Sequence, residues 1–98
     1  MGERVMIATM VAQPGKRDEL KALFAEMFDV AAGEAGTVLY TLIEGDQPDT
    51  LYFFEQYADQ AAMDAHMGGS VLGALREKLF PLLASGDAVT GTVAQKLR

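Results

Sequence analysis

A chain of 98 residues has room for one domain, and with half of them hydrophobic and 22% charged its composition excludes a disordered polypeptide. Eight Lys and Arg stand against 14 Asp and Glu, a formal net charge of -6 with no basic run, so phosphate backbones are repelled and nucleic-acid binding is not expected. The absence of Cys excludes disulfides, thiolate nucleophiles, thiolate zinc sites and iron–sulfur clusters together.

The chain starts with Met1-Gly2-Glu3-Arg4 and reaches polar Gln13-Pro14-Gly15-Lys16 before a signal-peptide core can form. No stretch approaches the roughly 18 apolar residues of a membrane span. A cytoplasmic protein with no membrane contact is therefore expected, its single domain spanning residues 1–98. Val5 to Ala12 is an apolar run closed by Gln13-Pro14-Gly15, the pattern of a strand and a turn. From Lys16 the apolar residues Leu20, Leu23, Phe24, Met27, Val30 and Ala31 recur at spacings of three and four, which predicts one amphipathic helix ending near Gly33. Gly36 opens a second strand, Thr37 to Ile43, and the turn-forming Glu44-Gly45-Asp46-Gln47-Pro48-Asp49 leads into a third, Thr50 to Tyr57.

Asp59 is placed to cap a short helix through Ala62, Met63, His66 and Met67, which Gly68-Gly69 breaks. A further helix from Ser70 carries Val71, Leu72, Leu75 and Leu79 on one face and is limited by Pro81. Ser85-Gly86-Asp87 then reads as a turn before a last strand, Ala88 to about Gln95. The order β-α-β-β-α-β is the ferredoxin-like α+β sandwich, a four-stranded antiparallel sheet with helices on one face. In the third strand Leu51, Phe53, Glu55 and Tyr57 share one parity and Tyr52, Phe54 and Gln56 the other, so neither face reads as water-facing. An apolar face left bare by the helices is an expected interface, most simply that of a two-fold homodimer.

Three segments carry a family resemblance. They are Gln13-Pro14-Gly15-Lys16-Arg17-Asp18-Glu19-Leu20, Gly33-Glu34-Ala35-Gly36-Thr37-Val38-Leu39-Tyr40, and Phe54-Glu55-Gln56-Tyr57 running through Ala58-Asp59-Gln60-Ala61-Ala62-Met63-Asp64-Ala65-His66. In this order and spacing the chain resembles the antibiotic biosynthesis monooxygenase family, small dimeric α+β barrels. The resemblance implies a homodimer with a pocket between sheet and helices in each subunit. It also implies oxygenation of polycyclic phenols or quinols by dioxygen with no metal, flavin or haem. Tyr57 stands where the family often has Trp, Ala35 where it has Pro, and Thr37 where it has Cys. With no Trp and one His, the haem-degrading branch of the superfamily is disfavoured.

Cofactor-free oxygenation makes the substrate the reductant, so the protein must supply a base near neutral pH, a partner for the oxyanion, and a dry apolar pocket. His66 is the side chain of the right type, three residues after Met63 and four after Ala62; its alternative role is to cap or pack a helix end. Glu55, in the middle of an apolar strand, either orients His66 or a substrate hydroxyl or forms a structural bond. Tyr57 is the third catalytic candidate. Tyr40, Phe24, Met27, Phe53, Met63 and Leu72 are the candidates for lining the pocket around a hydrophobic aromatic ligand. One His with scattered carboxylates shows no metal-ligand spacing, so no metal and no bound cofactor are expected. A non-catalytic ligand-binding dimer and an isomerase of a small carbonyl metabolite remain the alternatives to the oxygenase.

Overall fold

The computed structural model describes residues 2–98. The elements run β1 (Arg4–Ala12), α1 (Arg17–Leu23), α2 (Ala25–Ala32), β2 (Thr37–Glu44), β3 (Thr50–Tyr57), α3 (Gln60–Met67), α4 (Ser70–Leu79), one 3-10 turn (Phe80–Leu82) and β4 (Leu83–Thr92). The strands form one antiparallel sheet in the order β2-β3-β1-β4. This is the ferredoxin-like arrangement expected from the sequence.

Two segments differ from expectation. The predicted continuous helix is two, because at Phe24 the backbone tightens to φ -80, ψ -8 and its N–H turns back to the Lys21 carbonyl at 3.2 Å. No Gly or Pro marks this step. It keeps Leu20, Phe24, Met27 and Ala31 buried together as the chain bends across the sheet. The last strand begins at Leu83 and ends at Thr92, instead of running from Ala88 to about Gln95. The expected turn Ser85-Gly86-Asp87 is strand, paired with Val11, Met10 and Thr9 of β1. Cross-strand pairing overrides weak local propensity, and at a sheet edge these small polar residues are tolerated.

β1 and β3 divide their residues by parity. Met10, Ala12, Leu51 and Phe53 point to the helices and pack with Leu20, Phe24, Met27, Leu72, Leu75 and Leu79. The opposite parity forms the bare face, where Ile7 lies between Phe54 and Val89, and Tyr52 beside Ile43. Val89 on this face is 59% exposed. The molecule is accordingly a slab, 40 × 28 × 18 Å. Its surface of 6044 Å² exceeds the roughly 5,400 Å² that a globular monomer of this mass exposes.

Two local devices bring α3 against the sheet. The Asp59 carboxylate accepts the Ala62 N–H at 2.8 Å, capping the helix start as its sequence position predicts. Gly36, just ahead of β2, lies so close to α3 that an added Cβ would sit 2.5 Å from that of Ala62, and its carbonyl accepts the Ala58 N–H at 2.8 Å. A side chain at Gly36 must push α3 outward. Gly36→Ala is expected to cost about 1–3 kcal/mol, read as a lowered thermal midpoint by circular dichroism; an unchanged midpoint would mean that α3 is free to retreat.

Candidate active site

Strand alternation carries Phe53, Glu55 and Tyr57 to the helix side of β3, and the register of β2 sets Tyr40 opposite Glu55. On α3 the spacing of three puts both Met63 and His66 on the buried face. A tight turn after α2, in which Glu34 N–H bonds Ala31 O at 3.0 Å and Thr37 N–H bonds Glu34 O at 3.2 Å, returns Glu34 toward α3. These elements converge on a cavity of about 200 Å³ between sheet and helices.

His66 is only 2% exposed and stands between two carboxylates. Its Nδ1 lies 2.7 Å from Glu34 Oε1, and its Nε2 lies 3.8 Å from Glu55 Oε1. Glu34 Oε1 also accepts a hydrogen bond from Thr37 Oγ1 at 3.0 Å. Glu55 Oε1 accepts from the Tyr57 hydroxyl. The Tyr40 and Tyr57 rings flank the imidazole at centroid distances of 5.2 and 5.3 Å. Among the described residues no group of three or more His, Asp or Glu is arranged to hold a metal ion.

Burial pushes the Glu55 carboxyl above its ordinary pKa, against the opposing pull of the Tyr57 hydrogen bond and the His66 charge, with Glu34 adding to the rise. Tyr57 is raised first by burial and then by the hydrogen bond to Glu55 and that group's charge. Tyr40 is raised by burial, then by the charges of Glu55 and Glu34. Both phenols therefore hold their protons, and Tyr57 serves as a donor to Glu55 rather than as a base.

The structure brings most of the expected site residues together. His66, Glu55, Tyr40, Phe24, Phe53 and Leu72 line the cavity. Tyr57 does not reach it: fully buried, it meets the site through its hydrogen bond to Glu55 and through its ring beside the His66 imidazole. Met27 and Met63 lie on buried helix faces and pack into the interior, while the cavity wall beside them is built by the neighbouring turns that carry Phe24 and Met67.

Several contributors were not singled out by sequence reasoning. Met6, Ala8 and Met10 supply the β1 wall. Arg76 of α4 brings a cation to the cavity, with one guanidinium N–H donated to the Met67 carbonyl at 3.1 Å. Glu34, the partner of His66, lies 32 residues away in sequence, and no local pattern connects the two.

A family model described as antibiotic biosynthesis monooxygenase matches residues 4–78. The chain belongs to that family. This family member is 32% identical to Rv0793 of Mycobacterium tuberculosis, provisionally named a monooxygenase, over 85 residues that cover 87% of this chain and 84% of the relative. The solved structure of Rv0793 matches with a TM-score of 0.89 at 25% identity, over 98% of this chain and 99% of that one. SO0527 of Shewanella oneidensis gives 0.87 at 26% identity, over 94% and 91%. A Caulobacter crescentus CB15 structure gives 0.89 at 24% identity, over 96% and 92%, a likeness of fold.

The raised Glu55 carboxyl has a consequence for stability. A carboxyl whose folded pKa stands above the unfolded value binds its proton more tightly when folded; the stability it lends is full below the ordinary value of 4.5 and is lost as pH rises through the folded one. Glu55→Gln keeps an acceptor for Tyr57 and removes the titration. The variant is expected to gain thermal stability relative to the parent as pH rises from 4 to 8, measured by melting at a series of pH values. A difference that is flat with pH would contradict the shift.

Proposed function

We propose that this family member is a cofactor-independent monooxygenase of a small phenol or quinol, working as a homodimer with dioxygen as co-substrate. The observation that carries the reading is a buried imidazole facing an apolar, aromatic-lined cavity while flanked by two carboxylates. A cavity of about 150 Å³ can hold benzene, so one of about 200 Å³ suits a single substituted ring. Phe24, Phe53 and Tyr40 give that ring aromatic neighbours.

The gap of 3.8 Å between His66 Nε2 and Glu55 Oε1 is too wide for a direct hydrogen bond and wide enough for a substrate hydroxyl oxygen to contact both. His66 Nε2 takes the hydroxyl proton. Glu55, protonated, donates to the resulting oxyanion, and Arg76 balances its charge. The phenolate then passes one electron to dioxygen, and the two radicals couple to form a carbon–oxygen bond. The proton held by His66 completes a ring hydroperoxide, which eliminates water to leave a quinone. One oxygen atom enters the ring and the other leaves as water, with all four electrons drawn from the substrate.

Dioxygen uptake with a panel of single-ring phenols and hydroquinones tests the reading, and the expected result is consumption above the uncatalysed rate. His66→Gln keeps a polar side chain of comparable length but no base, and is expected to lower kcat/KM about 10²–10⁴-fold. Ring binding without oxygen consumption would favour a non-catalytic binding protein and contradict the oxygenase.

The bare sheet face supports the homodimer. Ile7, Phe54, Val89, Leu39 and Ile43 form an apolar surface that a second copy covers through two-fold packing, and stable interfaces bury about 800 Å² on each partner. Ile7→Lys puts a charge at its centre. Sedimentation equilibrium at micromolar concentration is expected to give a dimer for the parent and a monomer for this variant; a monomeric parent would contradict the assembly.

A further inference from the structure

His66 has two nitrogens and a neutral imidazole carries only one proton, so a base at Nε2 requires the proton to reside on Nδ1. Free histidine in water favours the opposite arrangement. The groups that face the ring decide which form the protein holds. Glu34 approaches from the α2–β2 turn, Tyr40 from β2, Glu55 and Tyr57 from β3, and Arg76 lines the same cavity from α4. Of these only Glu34 is within hydrogen-bond distance, 2.7 Å from Nδ1, and a carboxylate there accepts.

Glu34 is itself held. Thr37 Oγ1 donates to the same Oε1 at 3.0 Å, and the backbone turn through Ala31, Glu34 and Thr37 fixes the approach. Its side chain is 27% exposed, against 2% for His66. Glu34 does not line the cavity. It therefore joins a buried ring, open to the cavity at Nε2, to the solvent side of the protein at Nδ1.

We propose that Glu34 is the positioning residue of the site: it holds the His66 proton on Nδ1, leaves the Nε2 lone pair facing the cavity, and provides the route by which a proton taken at Nε2 leaves for solvent. In the relay, Nε2 gains the substrate proton and Nδ1 gives its own to Glu34. Glu34 then passes it to water; when the Nε2 proton is delivered to the departing oxygen, Nδ1 regains a proton from solvent through Glu34, and the ring is back in its starting form. No oxidant or reductant takes part in this step. The mechanistic value of the assignment rests on the oxygenase reading above; the placement of the proton does not.

His66 is the only histidine in the chain, so its imidazole nitrogens give one unambiguous set of resonances. Nitrogen-15 correlation spectra of the ligand-free protein, recorded over a range of pH, report the tautomer without any substrate. The expected result is a protonated Nδ1 and a bare Nε2 in the parent, and inversion to protonated Nε2 in Glu34→Ala. Thr37→Val, which leaves the carboxylate but removes its anchor, is expected to give a mixture of the two forms. A parent protonated on Nε2, or a Glu34→Ala protein with the parent's tautomer, would overturn the proposal. If phenol turnover is found, Glu34→Ala is expected to lower kcat with little change in KM; loss of a tautomer-setting carboxylate costs up to about 10⁴-fold in a hydrolase triad. A protein that shows the expected tautomers but consumes no oxygen keeps Glu34 in this role and refutes only the oxygenase.

Discussion

An imidazole buried between two carboxylates is the constraint around which the rest of this small fold is organised. Groups of this kind are costly to remove from water unless each finds a partner, and a half-satisfied cluster is worse than an apolar one. Here the partners are supplied from separate parts of the chain: Thr37 to Glu34, Tyr57 to Glu55, and Glu34 to His66. Among the described residues the one buried side-chain polar atom without a hydrogen-bond partner is Arg4 Nε, outside this cluster. The only gap within it, between His66 and Glu55, faces the cavity. A site that is complete except where a ligand would sit is the arrangement that preorganised catalysis requires.

The architecture serves that cluster by treating the two sheet faces differently. One face carries the helices and, through the closeness of Gly36 to Ala62, draws α3 down until His66 lies within reach of β2 and β3. The break at Phe24 belongs to the same geometry, since it curves the first helical pair over the sheet and sets the Phe24 ring against Phe53 at 4.9 Å in the cavity wall. The other face carries Ile7, Phe54 and Val89 and no helix at all. In a thin slab, one sheet thus presents a covered face that holds the cavity and a bare face that is apolar.

Most of this was legible in the sequence where the signal is local. Strand alternation in residues 51–57 gave the two faces, and Asp59 with Gly68-Gly69 bounded α3. Glu55 and His66 lay in one of the resemblance segments and stood out by their chemistry, a carboxylate in an apolar strand and the one imidazole of the chain. What escaped depends on distant residues. Nothing near Phe24 breaks a helix, so the bend follows from packing, and Ser85-Gly86-Asp87 becomes strand only because β1 offers it a partner. Helical periodicity identifies a buried face but does not say which part of it meets a void, so Met27 and Met63 were indistinguishable from Phe24. Glu34 lay within a recognised segment, yet its role depends on a contact across 32 residues.

The central claim is that the cavity ionises a phenol by transfer of its proton to His66, and the ionisation of a bound nitrophenol, whose phenolate absorbs visible light, tests it directly. An apolar cavity acting through burial alone raises the pKa of a bound phenol. A base and hydrogen-bond donor aimed at its oxygen lower it. Absorbance titration of the bound ligand is predicted to show phenolate at a lower pH than for the free compound; ionisation at the same or a higher pH would contradict the claim.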